Sequence, residues 1–163
     1  MRFVLIDRIT ELTPHQSITA VKNLSLAEEY LADHFPGFPV LPGVLMLEAM
    51  VQAGAWLIRE SEQFASSTIL LKEAKALKFN SFVSPGKSLV VQMNVKKHDG
   101  CLWDLMGTGT IDGASAVSAR LTLDAFNLAD RNPAMQSSDE LRRQSARELF
   151  AQVWTRPTTT TPL

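Results

Sequence analysis

A chain of 163 residues with a net charge of −1 has the length of one domain and no basic surplus to hold nucleic acid. Its 45% hydrophobic content supports a sizeable core, and its single cysteine, Cys101, excludes an internal disulfide and suits a reducing compartment. Only four apolar residues precede Asp7-Arg8, too few for a signal-peptide core, so a soluble cytoplasmic protein is expected.

Residues 1–12 mix apolar and charged side chains; Phe3, Leu5 and Ile9 suit a core, with Asp7 and Arg8 outside. Thr13-Pro14-His15 signals a turn. Residues 17–24 alternate and include Ile18, Thr19 and Val21, which reads as a strand. Ser25 and Glu28 resemble a capping box opening a short helix over 26–31. A loop follows from His34, with Pro36, Gly37, Pro39, Pro42 and Gly43, and then an apolar run over 44–58 broken by Glu48, Gln52 and Gly54. Pro42 and Gly43 suit a helix entrance and Arg59-Glu60 returns charge at the far end, so the spacing predicts a helix over 43–60.

Residues 61–67 read as a polar connection. Residues 68–79 open on Ile69-Leu70-Leu71 and interleave Lys72, Lys75 and Lys78 with apolar residues; this predicts a strand, although 72–78 also fits a helix by propensity. A turn at 82–87 leads to a strand over 88–98, with Leu89, Val91, Met93 and Val95 on one face. His98-Asp99-Gly100 turns into a strand over 101–111, Asp112-Gly113 is a hairpin signal, and a last strand covers 114–126. From 128 the character changes. After the break at Asn132-Pro133, Ser137 and Glu140 again resemble a capping box, and Leu141, Ser145, Leu149 and Val153 form a helical stripe with Phe150 beside it. This predicts an amphipathic helix packed on the body or on a partner subunit rather than on a membrane. The tail over 157–163 reads as flexible. The expected organisation is a domain over 1–127 and a C-terminal extension over 128–163.

The central helix carries Leu, Met, Val and Trp on every face, so burial all round is expected, and a helix of that kind needs a sheet wrapped about it: an α+β fold. With about 15 residues against the ~20 needed to span, and Glu48 and Gln52 inside it, the run is not a membrane segment. A buried carboxylate without a partner costs several kcal/mol or takes up a proton. Glu48 and Gln52, four apart, share one face, close behind a loop that begins with His34; this suggests an acid/base site. Composition leaves a second reading equally open, with Glu48 in water at a subunit edge and His34 bonded to backbone.

The stretch HFPGFPVLPGVLMLEAMVQAG resembles the signature of the (3R)-hydroxyacyl-[acyl-carrier-protein] dehydratases of the FabZ type, with H-F-P-G-x-P, P-G-V-L and E-A-x-x-Q-A-G in order. Ile6-Asp7-Arg8-Ile9, Ala20-Val21-Lys22-Asn23, Phe79, Pro85-Gly86 and Asp112-Gly113 agree with that family as well, so the resemblance covers roughly 6–126. It implies a hot-dog fold, a curled antiparallel β-sheet wrapped around the long central helix. It also implies a homodimer, often a trimer of dimers, with each active site between two protomers and no metal or cofactor.

Carried over by motif, His34 and Glu48 are the catalytic residues, Gly43 supplies a backbone N–H to the thioester carbonyl, and Gln52 supports the site. Glu48, rather than aspartate, resembles the simple dehydratase and not the dehydratase–isomerase. The chemistry fits: loss of water from a 3-hydroxyacyl thioester needs a base for the C2 proton, an acid for the hydroxyl and N–H groups for the oxyanion. Phe38, Leu41 and Trp56 are candidate walls of an acyl tunnel, with simple core packing as the alternative. The expected reaction is dehydration on acyl-carrier protein in fatty-acid biosynthesis. The alternatives are a dehydratase of a specialised lipid or polyketide pathway, a hot-dog thioesterase, or a non-catalytic acyl-binding subunit. One departure bears on the carrier. Where the family commonly has a basic, proline-containing run after the aromatic at Phe79, this chain reads Asn80-Ser81-Phe82, leaving Lys72, Lys75, Lys78 and Lys87 as candidate basic surface.

Overall fold

Alternating apolar positions build six strands: β1 (Arg8–Thr13), β2 (Ser17–Asn23), β3 (Thr68–Phe79), β4 (Ser88–Asp99), β5 (Leu102–Ile111) and β6 (Ala114–Phe126). The computed structural model, which describes residues 3–155, joins them in one antiparallel sheet of order β1-β2-β4-β5-β6-β3. The expectation for 157–163 lies outside the described residues. In β4, Leu89, Val91 and Met93 point into the core as the period-two pattern requires, while Val95 is only partly covered. Asp112 and Gly113, both at positive φ (51° and 82°), close the β5–β6 hairpin.

Helix α1 (Gly43–Ser61) packs against β2, β3, β4, β5 and β6. A helix about 10 Å wide covers two or three strands of a flat sheet with ~4.8 Å spacing, so contact with five requires the sheet to curl around it. Register shifts in β1, β3 and β4, including Leu71/Glu73 and Lys75/Lys78 in β3, bend the strands that way. Gly54 sets how closely α1 settles. A Cβ there would lie 2.8 Å from Leu105 Cδ1 and 3.0 Å from Leu123 Cδ1, so only a glycine lets the helix sit this deep on β5 and β6.

Four expectations need correction. The short helix over 26–31 is a single 3-10 turn, Glu29–Ala32. The Glu28 carboxylate accepts from Ser25 N–H only at 3.5 Å and is held more closely by Lys22 Nζ (2.6 Å) and the Tyr30 hydroxyl (2.5 Å). Phe3 is largely exposed, while Leu5 and Ile9 are buried. Burial of α1 is not all round: 49–51 and 53–58 are buried, but Val44 is 69% exposed and Leu45, Leu47 and Glu48 are half-covered. One copy of the sheet does not reach around the first turns of the helix.

The fourth correction concerns α2 (Gln136–Val153), which follows two single-turn 3-10 helices, Leu128–Asp130 and Pro133–Met135. Its first helical residue is Gln136, preceded by Met135 with no side-chain cap, so Ser137 and Glu140 do not form a capping box. Its buried stripe is Asp139, Ala146, Phe150 and Val153, whereas Leu141 is 66% exposed. Asp139 explains the rotation. Its carboxylate, 1% exposed, accepts from Ser67 Oγ (2.5 Å) and from the backbone N–H groups of Leu128 (3.0 Å) and Ala129 (2.8 Å). Burial pushes this carboxyl up, but the donors around it, with Arg143 nearby, outweigh burial and hold it below its ordinary value. The helix therefore docks on the body of its own chain, with Phe150 between Trp56 (centroids 5.6 Å) and Phe64 (5.4 Å).

Candidate active site

The loop that leads into α1 is a hydrogen-bonded turn built for its sequence. Phe35 and Phe38 exchange backbone bonds, Phe38 N–H to Phe35 O at 2.9 Å and Phe35 N–H to Phe38 O at 3.2 Å. Pro36 and Gly37 occupy the two corners, and Gly37 takes φ +78°, which a side chain at the second corner would resist. The turn returns the chain so that Val40 N–H bonds His34 O (3.0 Å) and Leu41 N–H bonds Val83 O (2.8 Å). Leu41 is thereby buried in the core, whereas Phe38 remains 55% exposed, edge-on to Phe82 at 5.7 Å.

His34 is half-buried on this loop, and its Nδ1 lies 2.9 Å from Val40 O. A carbonyl oxygen only accepts, so the proton of the neutral ring sits on Nδ1 and the lone pair is left on Nε2. The loop thus fixes both the orientation and the tautomer of a base. Phe35, joined to His34 by a cis peptide, stacks on the imidazole at 4.1 Å.

Glu48 lies on the half-covered side of α1. Its Oε1 accepts from Gln52 Nε2 at 2.9 Å, one helical turn on. Gln52 is itself fixed by the N-terminal segment: Leu5 N–H donates to its Oε1 at 2.9 Å, and its Nε2 donates to Phe3 O at 3.1 Å. These partners determine which end of the amide faces the carboxylate. Gln52 thus engages Oε1 of Glu48 and leaves Oε2 outside this bond. The expectation that α1 alone desolvates Glu48 is not met, since the side chain is half-covered within one chain.

Gly43 opens α1. Leu45 N–H (2.9 Å) and Met46 N–H (3.2 Å) already bond Pro42 O, so Gly43 and Val44 carry the first N–H groups without an acceptor inside the helix. They lie at the positive end of the helix dipole, where negative charge is stabilised. The Phe79 ring covers Gly43 closely; a Cβ there would lie 3.1 Å from two of its carbons.

The site residues fall into two groups. The loop and helix entrance bring together His34, Phe38, Leu41 and Gly43; the middle of α1 aligns Glu48, Gln52 and Trp56. Within the described residues, the His34 ring is held by the Val40 carbonyl and Glu48 by the Gln52 side-chain amide. Trp56 is buried, with the Arg59 guanidinium 5.0 Å over its ring. The sequence reading missed Val40's carbonyl, the backbone of Phe3 and Leu5, and the Phe79 cover on Gly43. The only sequence signal for Val40 is the Pro-Gly turn, which shortens the path from His34 to residue 40. Of the candidate basic residues, Lys75 pairs with Glu73 (2.8 Å) and Lys87 with Asp112 (2.6 Å), which lowers the positive charge they present.

Comparison with known proteins agrees with this geometry. The FabA-like domain family matches residues 1–120. The chain is 42% identical over 114 residues to a 3-hydroxyacyl-[acyl-carrier-protein] dehydratase FabZ of Myxococcus xanthus, covering 69% of this chain and 74% of that protein. It is 40% identical to the FabZ of Levilactobacillus brevis, over 73% of this chain and 80% of that one. Among solved structures it shares its fold with the dehydratase heterocomplex ApeI:P of Xenorhabdus doucetiae, at a TM-score of 0.66 and 21% identity, over 82% of this chain and 90% of that chain. A Streptococcus mutans protein bound to acetyl CoA, smu.793, has the same fold at a TM-score of 0.59 and 11% identity, over 77% and 92% of the two chains. With the matched region spanning the whole sheet up to β6, and holding the His34 loop and α1 intact, the chain belongs to the FabZ-type 3-hydroxyacyl-[acyl-carrier-protein] dehydratases of the FabA-like family.

Proposed function

We propose that this protein removes water from a (3R)-hydroxyacyl thioester on acyl-carrier protein, giving the trans-2-enoyl thioester of fatty-acid biosynthesis, with His34 and Glu48 as the reacting pair. The observation that carries this is the bond from His34 Nδ1 to Val40 O, which in the neutral ring leaves the Nε2 lone pair to accept a proton. Nε2 takes the C2 proton, and the C2–H electron pair forms the C2–C3 double bond. The C3–O bond breaks, and the hydroxyl leaves as water with the proton from Glu48 Oε2. Negative charge that develops on the thioester oxygen meets the Gly43 N–H at the start of α1. The proton gained by His34 returns to Glu48 through water, which restores both groups.

The pair works across a homodimer in this reading. Two features support it. Among the described residues the outer edge of β3 has no strand paired to it over twelve residues, and it carries the partly exposed Leu70, Leu71 and Phe79. The side of the loop and helix entrance that bears His34 exposes Phe35, Phe38, Val44 and Phe82, an apolar surface of the kind that a second subunit covers. A second copy paired along β3 covers Glu48 and sets it against the partner's loop.

Turnover is read from the conjugated enoyl band as 3-hydroxyacyl and trans-2-enoyl thioesters interconvert. His34→Ala and Glu48→Gln should each lower kcat by about 10²–10⁴-fold with unchanged melting temperature, the range expected for loss of a positioned acid or base. Normal turnover by either variant overturns the assignment, and release of free acid without enoyl product favours a thioesterase.

A further inference from the structure

The face of α1 that carries Glu48 and Gln52 continues to Trp56, at i, i+4 and i+8. A cleft of about 170 Å³ lies along it, with Glu48 and Gln52 at one end, Val51, Ala55, Trp56 and Ile69 beyond them, and the Arg59 guanidinium stacked over the Trp56 ring at the other. Its far wall is not part of the sheet. It is formed by Ala146 and Leu149 of α2. That helix begins at Gln136, beyond the 1–120 region matched by the FabA-like family, so the wall is a feature of this chain added to the shared scaffold.

The wall is held in place. The Asp139 bonds to Ser67, Leu128 and Ala129 pin the first turn of α2, and Arg143 donates to Asn127 Oδ1 at 2.9 Å. Farther on, Arg147 donates to Gln63 O from both terminal nitrogens (3.2 and 3.1 Å), and Phe150 wedges between Trp56 and Phe64. Leu149 therefore faces the cleft from a helix clamped at both ends.

We infer that α2 closes the acyl end of the site, so that Ala146 and Leu149 set the longest acyl chain the enzyme accepts. The inference rests on the dehydratase reading for what occupies the cleft. At ~30 Å³ for each water-sized group, 170 Å³ holds about six methylenes. The C1–C3 unit at Glu48 shares this volume, so the limit falls among medium-length chains. Each carbon pair past the limit lowers kcat/KM by roughly tenfold or more, since one surplus methylene in a closed apolar pocket already costs 10–200-fold.

The test uses the full chain and two readouts. The first is kcat/KM for 3-hydroxyacyl thioesters of four, eight and twelve carbons. The second is calorimetric binding of the saturated acyl-pantetheines of the same lengths, which needs no turnover. Leu149→Ala should raise the twelve-to-eight-carbon ratio at least tenfold in both, and Ala146→Leu should lower the eight-to-four-carbon ratio. Leu141→Ala, on the exposed side of the same helix, should leave both ratios as they are. Melting curves check that each variant is folded; Leu149 is only half-buried, so its variant keeps the test alive should Ala146→Leu unfold. Turnover with length ratios that do not respond to Leu149→Ala overturns the inference and leaves the dehydratase reading standing. Binding ratios that respond in a protein without turnover overturn the dehydratase reading and leave the wall. Neither turnover nor acyl binding overturns both.

Discussion

In the proposed mechanism Gln52 links stability to catalysis, and replacing it tests the two separately. Its amide makes three bonds: it accepts from Leu5 N–H (2.9 Å) and donates to Phe3 O (3.1 Å) and Glu48 Oε1 (2.9 Å). Gln52→Leu keeps the bulk and removes all three. The Leu5 N–H belongs to a residue 1% exposed, so a lost acceptor there costs about 1–3 kcal/mol, and the two more open bonds add about 1 kcal/mol together. A total of about 2–4 kcal/mol lowers the melting temperature of a chain this size by about 5–15 °C. Gln52→Glu is the sharper variant. It retains the acceptor for Leu5 but turns the donor side into an oxygen facing Phe3 O and Glu48, and two adjacent carboxylates repel unless one binds a proton. In both variants Glu48 loses the contact that orients it, and kcat should fall about 10–100-fold, the scale of a displacement near 1 Å at a reacting group. The assay is enoyl-band turnover at 25 °C, well below both transitions, beside melting curves. A variant that melts earlier but keeps its kcat would falsify the positioning role and leave Gln52 as a tether for the N-terminal segment.

The buried Asp139 carboxyl, held below its ordinary value of 3.8, contributes stability in full above that value and loses it as pH falls through the depressed one. Asp139→Asn should therefore be less stable at pH 7 and show a flatter acid limb in melting curves taken from pH 6 to pH 2; an unchanged limb refutes the assignment. Gly54→Val places branched carbon where Leu105 Cδ1 and Leu123 Cδ1 leave 2.8 and 3.0 Å, and should cost about 1–3 kcal/mol from overpacking, measured by urea unfolding. Gly43→Ala presses on the Phe79 ring from 3.1 Å, and Gly43→Ala with Phe79→Leu should recover activity lost by the single variant; no recovery refutes the contact.

The central helix and the four strands from β3 onward are legible because their punctuation is local. Pro42-Gly43 starts α1, Pro85-Gly86 and Asp112-Gly113 bound the strands, and observed ends fall within a residue of the expected ones. The α2 stripe was read along Leu141 and Leu149 because a carboxylate scores as solvent-facing in any hydrophobic period. What buries Asp139 is Ser67, 72 residues away, along with Leu128 and Ala129 N–H groups, and no window along the chain brings these together. The short helix over 26–31 shrinks to one turn for a related reason: Glu28 keeps only a long bond to Ser25 N–H (3.5 Å), because the same oxygen pairs with the Lys22 ammonium on β2 (2.6 Å). For the candidate site, the motif points to His34, Gly43, Glu48 and Gln52, while the atoms that anchor them are not legible in it. Val40, Phe3 and Leu5 act through backbone atoms, which carry no side-chain signature.

The uneven cover of α1 explains why the reacting groups sit where they do. From Ala49 to Ile58 the helix is enclosed by the sheet and, at Trp56, by α2. From Gly43 to Glu48 that cover runs out, and there the helix exposes its uncapped N–H groups, its one interior carboxylate and the half-exposed Leu45 and Leu47. A sequence apolar on all faces thus encodes more burial than one chain supplies, and the deficit is concentrated at the end that carries the chemistry. Each side chain of the proposed pair is held by its own chain through one atom, Nδ1 of His34 and Oε1 of Glu48, which leaves Nε2 and Oε2 outside those bonds. Exclusion of water, which strengthens every electrostatic term in the reaction, then depends on the apolar surface that covers this end. In the proposed dimer that deficit couples fold to function, because the contact that would complete the burial of α1 would also close the site.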